Sequence, residues 1–175
     1  MKRFYTTVLM VAAAVLPLVL IGVFPSLATQ LSFAGLLLGA VTAEQLITQK
    51  GQGTKGTGGV DASTTIYGGS ICFIDASSGY IEDDTNSGAN FLAGIAVKTY
   101  DNSSGSAGDV QAEFWDTGKF LLTGSGLAVT DVGSKVYASD NYTITTTSTN
   151  NTYIGTIVEF VSATQVYVLL DPQAV

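Results

Sequence analysis

Asp75, Glu82, Asp83 and Asp84 form the densest group of hard oxygen donors in the chain, set around Ser77-Ser78-Gly79. Carboxylates clustered at a turn are the ligands a calcium ion takes. The spacing of an EF-hand loop is absent, so these residues read first as the charged tip of a solvated hairpin. Paired carboxylates also serve glycoside hydrolysis, but no segment supplies the signature of a substrate cleft. Histidine is missing altogether. That removes Ser-His-Asp and Cys-His catalysis, histidine-ligated zinc and histidine proton shuttles. The single cysteine, Cys72, lies in the apolar run Ile71-Cys72-Phe73-Ile74. It can form no internal disulfide and reads as a small buried hydrophobe. Residues 51–59 are glycine-rich without the Gly-Lys-Ser/Thr of a phosphate loop. Asn102, Asn141 and Asn150 begin Asn-x-Ser/Thr triplets, which a chain this rich in Ser and Thr produces by chance. The sequence therefore predicts no catalytic residue, no metal, no cofactor and no enzymatic activity.

The elements that carry these residues are short. Charged residues make up 12% of the 175 and glycine numbers 20, a balance that with abundant Thr, Ser, Val and Tyr favours an all-β domain with tight turns. Expected strands cover 65–67, 70–75, 80–82, 91–100, 109–114, 119–122, 135–138, 143–146, 153–161 and 165–170, separated by Gly/Ser/Asn/Asp turn chemistry. No window beyond residue 60 supports a long amphipathic helix. Residues 50–63 read as a Gly/Thr-rich flexible linker, giving an arm at 1–49, the linker, and a β domain at 64–175. Within that domain Gly69–Phe73 parallels Gly133–Tyr137 at an offset of 64, and 90–97 parallels 152–158 at 62. Two such units, each too small to bury a face alone, predict one small Greek-key-like barrel or sandwich made from two pseudo-repeats.

Charge is divided along the chain. Lys2, Arg3, Lys50 and Lys55 against Glu44 leave +3 in residues 1–60, and thirteen acids against Lys98, Lys119 and Lys135 leave −10 in the remainder. An acidic head repels phosphate backbones, which argues against direct nucleic-acid binding. Residues 4–43 carry no charge at all. Lys2-Arg3 ahead of an apolar run at 8–24, with Ser26-Leu27-Ala28 beyond it, has the layout of a secretory signal. A second apolar run at 31–41 follows directly. As a membrane span the first run would reach about 26 Å against a hydrocarbon core of roughly 30 Å, and Pro17 would kink a helix there. The expected N-terminal hydrophobic helical arm thus has three fates: buried in protein contacts, anchored in a membrane, or cleaved. Its candidate contact residues are Val8, Leu18, Phe24, Leu31, Phe33, Leu36 and Leu37, with Trp115 as the contact residue of the head.

Gly133-Ser134-Lys135-Val136-Tyr137-Ala138, the Thr-rich run 143–147, Asn151-Thr152-Tyr153-Ile154-Gly155-Thr156-Ile157 and Val166-Tyr167-Val168-Leu169-Leu170 together resemble the cement, or decoration, proteins of tailed-phage capsids. The segments 91–97, 110–114 and Asp116-Thr117-Gly118-Lys119-Phe120 fit the same pattern, so the resemblance covers about 64–172. The chain departs from it at Ala138-Ser139, where the family usually has a Trp after the Tyr, and in its long apolar arm. The resemblance implies a structural virion protein on the outer capsid surface, bound to the major capsid protein and forming a homo-oligomer, with a trimer favoured. Two other readings follow from the residues: a membrane-anchored or pilin-like envelope protein held through 4–43, and a secreted binding module.

Overall fold

Alternating apolar residues and frequent turns favour strands over helices, and the described residues fold as an all-β structure. The computed structural model describes residues 42–83 and 90–172. The strands are β1 (Gln49–Lys50), β2 (Lys55–Gly59), β3 (Thr64–Ile66), β4 (Ile71–Ile74), β5 (Ile81–Glu82), β6 (Phe91–Ala96), β7 (Tyr100–Asn102), β8 (Gln111–Trp115), β9 (Gly118–Gly124), β10 (Lys135–Ala138), β11 (Thr143–Thr145), β12 (Thr152–Ser162) and β13 (Gln165–Leu170). Among the described residues a 3-10 turn at Val129–Asp131 interrupts them.

The strands form two modules in series. The second closes on itself in the order β9-β11-β10-β12-β13, with β13 returning to β9 as a five-stranded barrel. The first has the order β2-β8-β6-β4-β5, and a parallel bridge from Val60 to Ile81 draws its two ends together. In the barrel the corresponding junction is also parallel, Ile144 opposite Gly124. A ribbon of β3 and β7 belongs to the first module's part of the chain.

The ladders of the two modules share a register. Cys72 pairs with Gly94, the ladder then slips by one residue, and Phe73 pairs with Leu92. Val136 pairs with Gly155, the same slip follows, and Tyr137 pairs with Tyr153. A bulge of this kind turns a sheet sharply, and here both modules turn at the same place. Next door, Ala96 faces Phe114 and Ile157 faces Val168. On the far side Lys55 faces Trp115 and Lys119 faces Leu169. The structural offsets are therefore 64, 61 and 54, where the sequence parallel of 90–97 with 152–158 suggests 62 for the second strand. Letter matching sets Phe91 on Tyr153 and Ile95 on Ile157, whereas the ladders set Gly94 on Gly155, one residue away.

Each module also has its own interior, so the expected barrel or sandwich is corrected in one respect: the two units do not share a single barrel, and the second closes as one by itself. Val60, Cys72, Ile81, Ala93, Ala96, Ala112 and Phe114 cluster inside the first. Phe120, Leu122, Val136, Ile144, Ile154, Val166 and Val168 cluster inside the second. The opposite face of the β4–β6 pair, Ile71, Phe73, Leu92 and Ile95, is buried in the second module's cluster. That face joins the modules, and the Ile71 amide secures it by donating to the Asn141 carbonyl at 2.7 Å.

The stretch at 50–63, expected to be a tether, is corrected as well. It contains β2, which pairs along its whole length with β8. Gly56 and Gly58 face inward, where a Cβ would run into the Phe114 ring and the Ile81 side chain respectively. The helical arm expected at 1–49 lies outside the described residues up to Val41. Among the described residues no helix is long and apolar enough to cross a membrane.

Candidate functional site

Trp115 ends β8 on the outward side of the first module, half-buried and packed at the margin of the large apolar cluster. Lys55, its partner across the ladder, places Nζ 4.6 Å from the centre of the indole ring and 2.9 Å from Glu113. A cation over an indole face is an electrostatic attraction, and here it fixes the ring against the sheet. Trp115 is thus a core-edge residue with one face towards solvent. The other candidate contact residues, Val8, Leu18, Phe24, Leu31, Phe33, Leu36 and Leu37, lie outside the described residues.

Sequence reasoning missed a second surface. In β10 the alternation Lys-Val-Tyr-Ala sends Val136 and Ala138 inward and leaves Lys135 and Tyr137 outward. Tyr137 meets Tyr153 of β12 edge to face, with ring centroids 5.8 Å apart. Lys135 Nζ lies 5.3 Å from the Tyr153 ring, and the Tyr153 hydroxyl donates to Asp171 at 3.1 Å. Partial burial, with that hydrogen bond behind it, holds the Tyr153 phenol above its ordinary range. Leu169, opposite Thr156, extends the face and is 46% exposed. Amphipathic aromatic side chains of this sort are favoured where one surface meets another.

The same positions in the first module are the buried Ile71, Phe73, Leu92 and Ile95. One module therefore uses the face to hold its neighbour, and the other presents it, rebuilt with Lys and Tyr, to solvent.

The carboxylates gather beside the Val60–Ile81 bridge of the first module. Asp61, Asp75 and Glu82 each offer an oxygen within 4.8 Å of the other two, all partly buried. Asp61 is brought in by the Val60–Ile81 bridge, a pairing that no local pattern in the sequence announces. Donors already engage the group. The Ser77 amide and hydroxyl donate to Asp75 at 2.6 and 2.8 Å, and the Ser78 hydroxyl at 3.1 Å. They hold the Asp75 carboxyl below its ordinary range. Glu82 accepts from the Asn90 amide. Asp83 is described but does not belong to this group of three, and Asp84 lies outside the described residues. At the matching places the second module has Ser125, Ser139 and Thr145, so the negative charge belongs to one module alone.

Residues 42–50 run across both modules. The Gln45 amide donates to Gly68 O at 2.6 Å and the Thr99 amide to Glu44 at 3.0 Å, both in the first module. The Leu121 amide donates to Thr48 O at 2.9 Å and β1 pairs with β9, both in the second. Lys50 reaches past the Tyr167 ring to Glu159 at 2.7 Å. Their hydrogen bond raises the lysine pKa and lowers that of the carboxyl.

Two of the three Asn-x-Ser/Thr asparagines are inaccessible. Asn102 is buried and donates to the carbonyls of Asp61 and Ser106, and Asn141 is buried where the modules meet. No family model matches the chain, and neither a curated protein nor a solved structure matches it.

Proposed function

We propose that this protein is a structural component of a virion. It decorates and stabilises a phage capsid through its apolar N-terminal arm and displays an acidic, Greek-key-like head of two repeated units. On this reading its partner is the major capsid protein, it sits on the capsid surface as a homo-oligomer, with a trimer favoured, and it turns over no substrate. The observation that carries the reading is the fastening of residues 42–50 to both modules. A chain whose task is to transmit grip from an arm to a head needs the residues that enter the head tied firmly to it, as residues 42–50 are. Apolar contact stabilises at about 25 cal/mol per Å² buried, and modest contacts repeated over many symmetric copies accumulate into strong attachment.

The test is a count. Particles purified from the source should contain the chain at a fixed, high copy number, with an intact mass that includes residues 1–28. Trace copy number would overturn the proposal. Recovery with lipid and release by detergent would replace it with the membrane-anchored reading.

A further inference from the structure

We propose that the outer face of the β10–β12 pair is a docking surface for a second copy of this chain. The second copy meets it with the acidic turn at 75–80 of its first module. The contact repeats between chains the one that joins the two modules within a chain.

Inside the chain, the outer face of β4–β6 is buried against the second module, and Ile71 donates to Asn141 in the turn between β10 and β11. The shared registers place Lys135, Tyr137, Tyr153 and Thr156 where Ile71, Phe73, Leu92 and Ile95 stand. They also place the turn at 75–80 where the Asn141 turn stands, because each turn joins corresponding strands, β4 to β5 and β10 to β11. Among the described residues, each chain thus has one outward face of the joining type uncovered, on its second module, and one receiving turn uncovered, on its first. Residues 76–79 of that turn are exposed.

The chemistry of the two free surfaces has diverged from the buried pair, and in complementary directions. The free face carries Lys135 beside two phenols, with Asp171 at its edge accepting from Tyr153. The free turn carries Asp75, grouped with Asp61 and Glu82. The wider charge distribution agrees. Lys55 and Lys98 against nine acids leave −7 in residues 51–116, whereas Lys119 and Lys135 against four acids leave −2 in 117–175. Complementary potential sets partner choice and register. A heterologous contact of this kind generates a ring where the rotation closes and a filament where it does not. The inference is independent of what the arm grips.

Residue-specific cross-linking of the full chain tests it. Lys135→Cys and Ser77→Cys chains, mixed under a mild oxidant, should give a disulfide-linked pair, and a chain bearing both substitutions should give a covalent ladder. Native Cys72 is buried and does not compete. Lys135→Glu should weaken salt-sensitive self-association by about tenfold or more in sedimentation, and Asp75→Lys should do the same. Mixing those two variants should restore association and its growth, because one contact between them keeps Lys135 against Asp75 and the other pairs the two reversed charges. No disulfide in the mixed sample, or Lys135→Cys chains linking to one another instead, would overturn the proposal.

Discussion

Gly94 and Gly155 occupy the same point in two ladders, each opposite the residue before a bulge, with φ of +152° and +155°. A Cβ at Gly94 would strike the Trp115 carbonyl, and one at Gly155 the Leu169 carbonyl. Glycine is the residue that tolerates both the dihedral and the close approach. Gly94→Ala and Gly155→Ala should each destabilise the fold by about 3 kcal/mol or more, combining backbone strain with overpacking. Urea titration followed by Trp115 fluorescence measures this, and a loss below 1 kcal/mol at both sites would refute the shared role.

Phe73 is fully buried although it projects away from its own module's interior. Phe73→Ala should cost about 3–5 kcal/mol, and calorimetry of the parent chain should show both modules melting in one transition. The equivalent Tyr137→Ala, on the solvent side, should cost less than about 1 kcal/mol in dilute solution. Equal losses at the two sites would contradict the assignment of the joining face.

Burial in the first module pushes the Cys72 thiol up to about 12, and its Sγ–H donates to Gly94 O at 3.3 Å. The native chain should resist thiol reagents at pH 8 and react only once unfolded. Between about pH 9 and 12 the unfolded thiol releases its proton before the folded one does, so the folded state holds more protons and stability falls as pH rises. Cys72→Ala should remove that part of the alkaline slope, as denaturation at graded pH would reveal.

Glu159 is held below its ordinary range by the hydrogen bond from Lys50. Its contribution is present above the unfolded glutamate pKa and is lost as pH falls through the lowered folded value. Protection of the Leu121 amide, which donates to Thr48 beside this pair, should decline on acidification. Lys50→Met should abolish that pH dependence, read by hydrogen exchange. An unchanged profile in the variant would disprove the link.

Much of the fold is legible in the residue pattern. β10 and β13 fall where alternation puts them, and β4, β11 and β12 lie within a few residues of their expected bounds. β2 was hidden because the interior of its module requires Gly56 and Gly58, which erase the apolar alternation that announces a strand. The repeat offset of the second strand was misjudged by one residue, since Phe91 and Ile95 match Tyr153 and Ile157 by letter while the ladders match Gly94 with Gly155. The acidic group was only partly visible. Asp75 and Glu82 flank one turn, but Asp61 arrives through the Val60–Ile81 bridge, a contact between segments with no common local signal. The Lys135–Tyr137–Tyr153 face was overlooked because outward polar residues on a strand look the same whether or not they meet anything.

The crossing of residues 42–50 over both modules has a mechanical result. Tension applied at Thr42 encounters hydrogen bonds on Gly68 and Thr99 and, a few residues later, on Leu121 and β9. The load divides between two bodies before it reaches the first turn of either, so this chain resists being peeled open from its leading end.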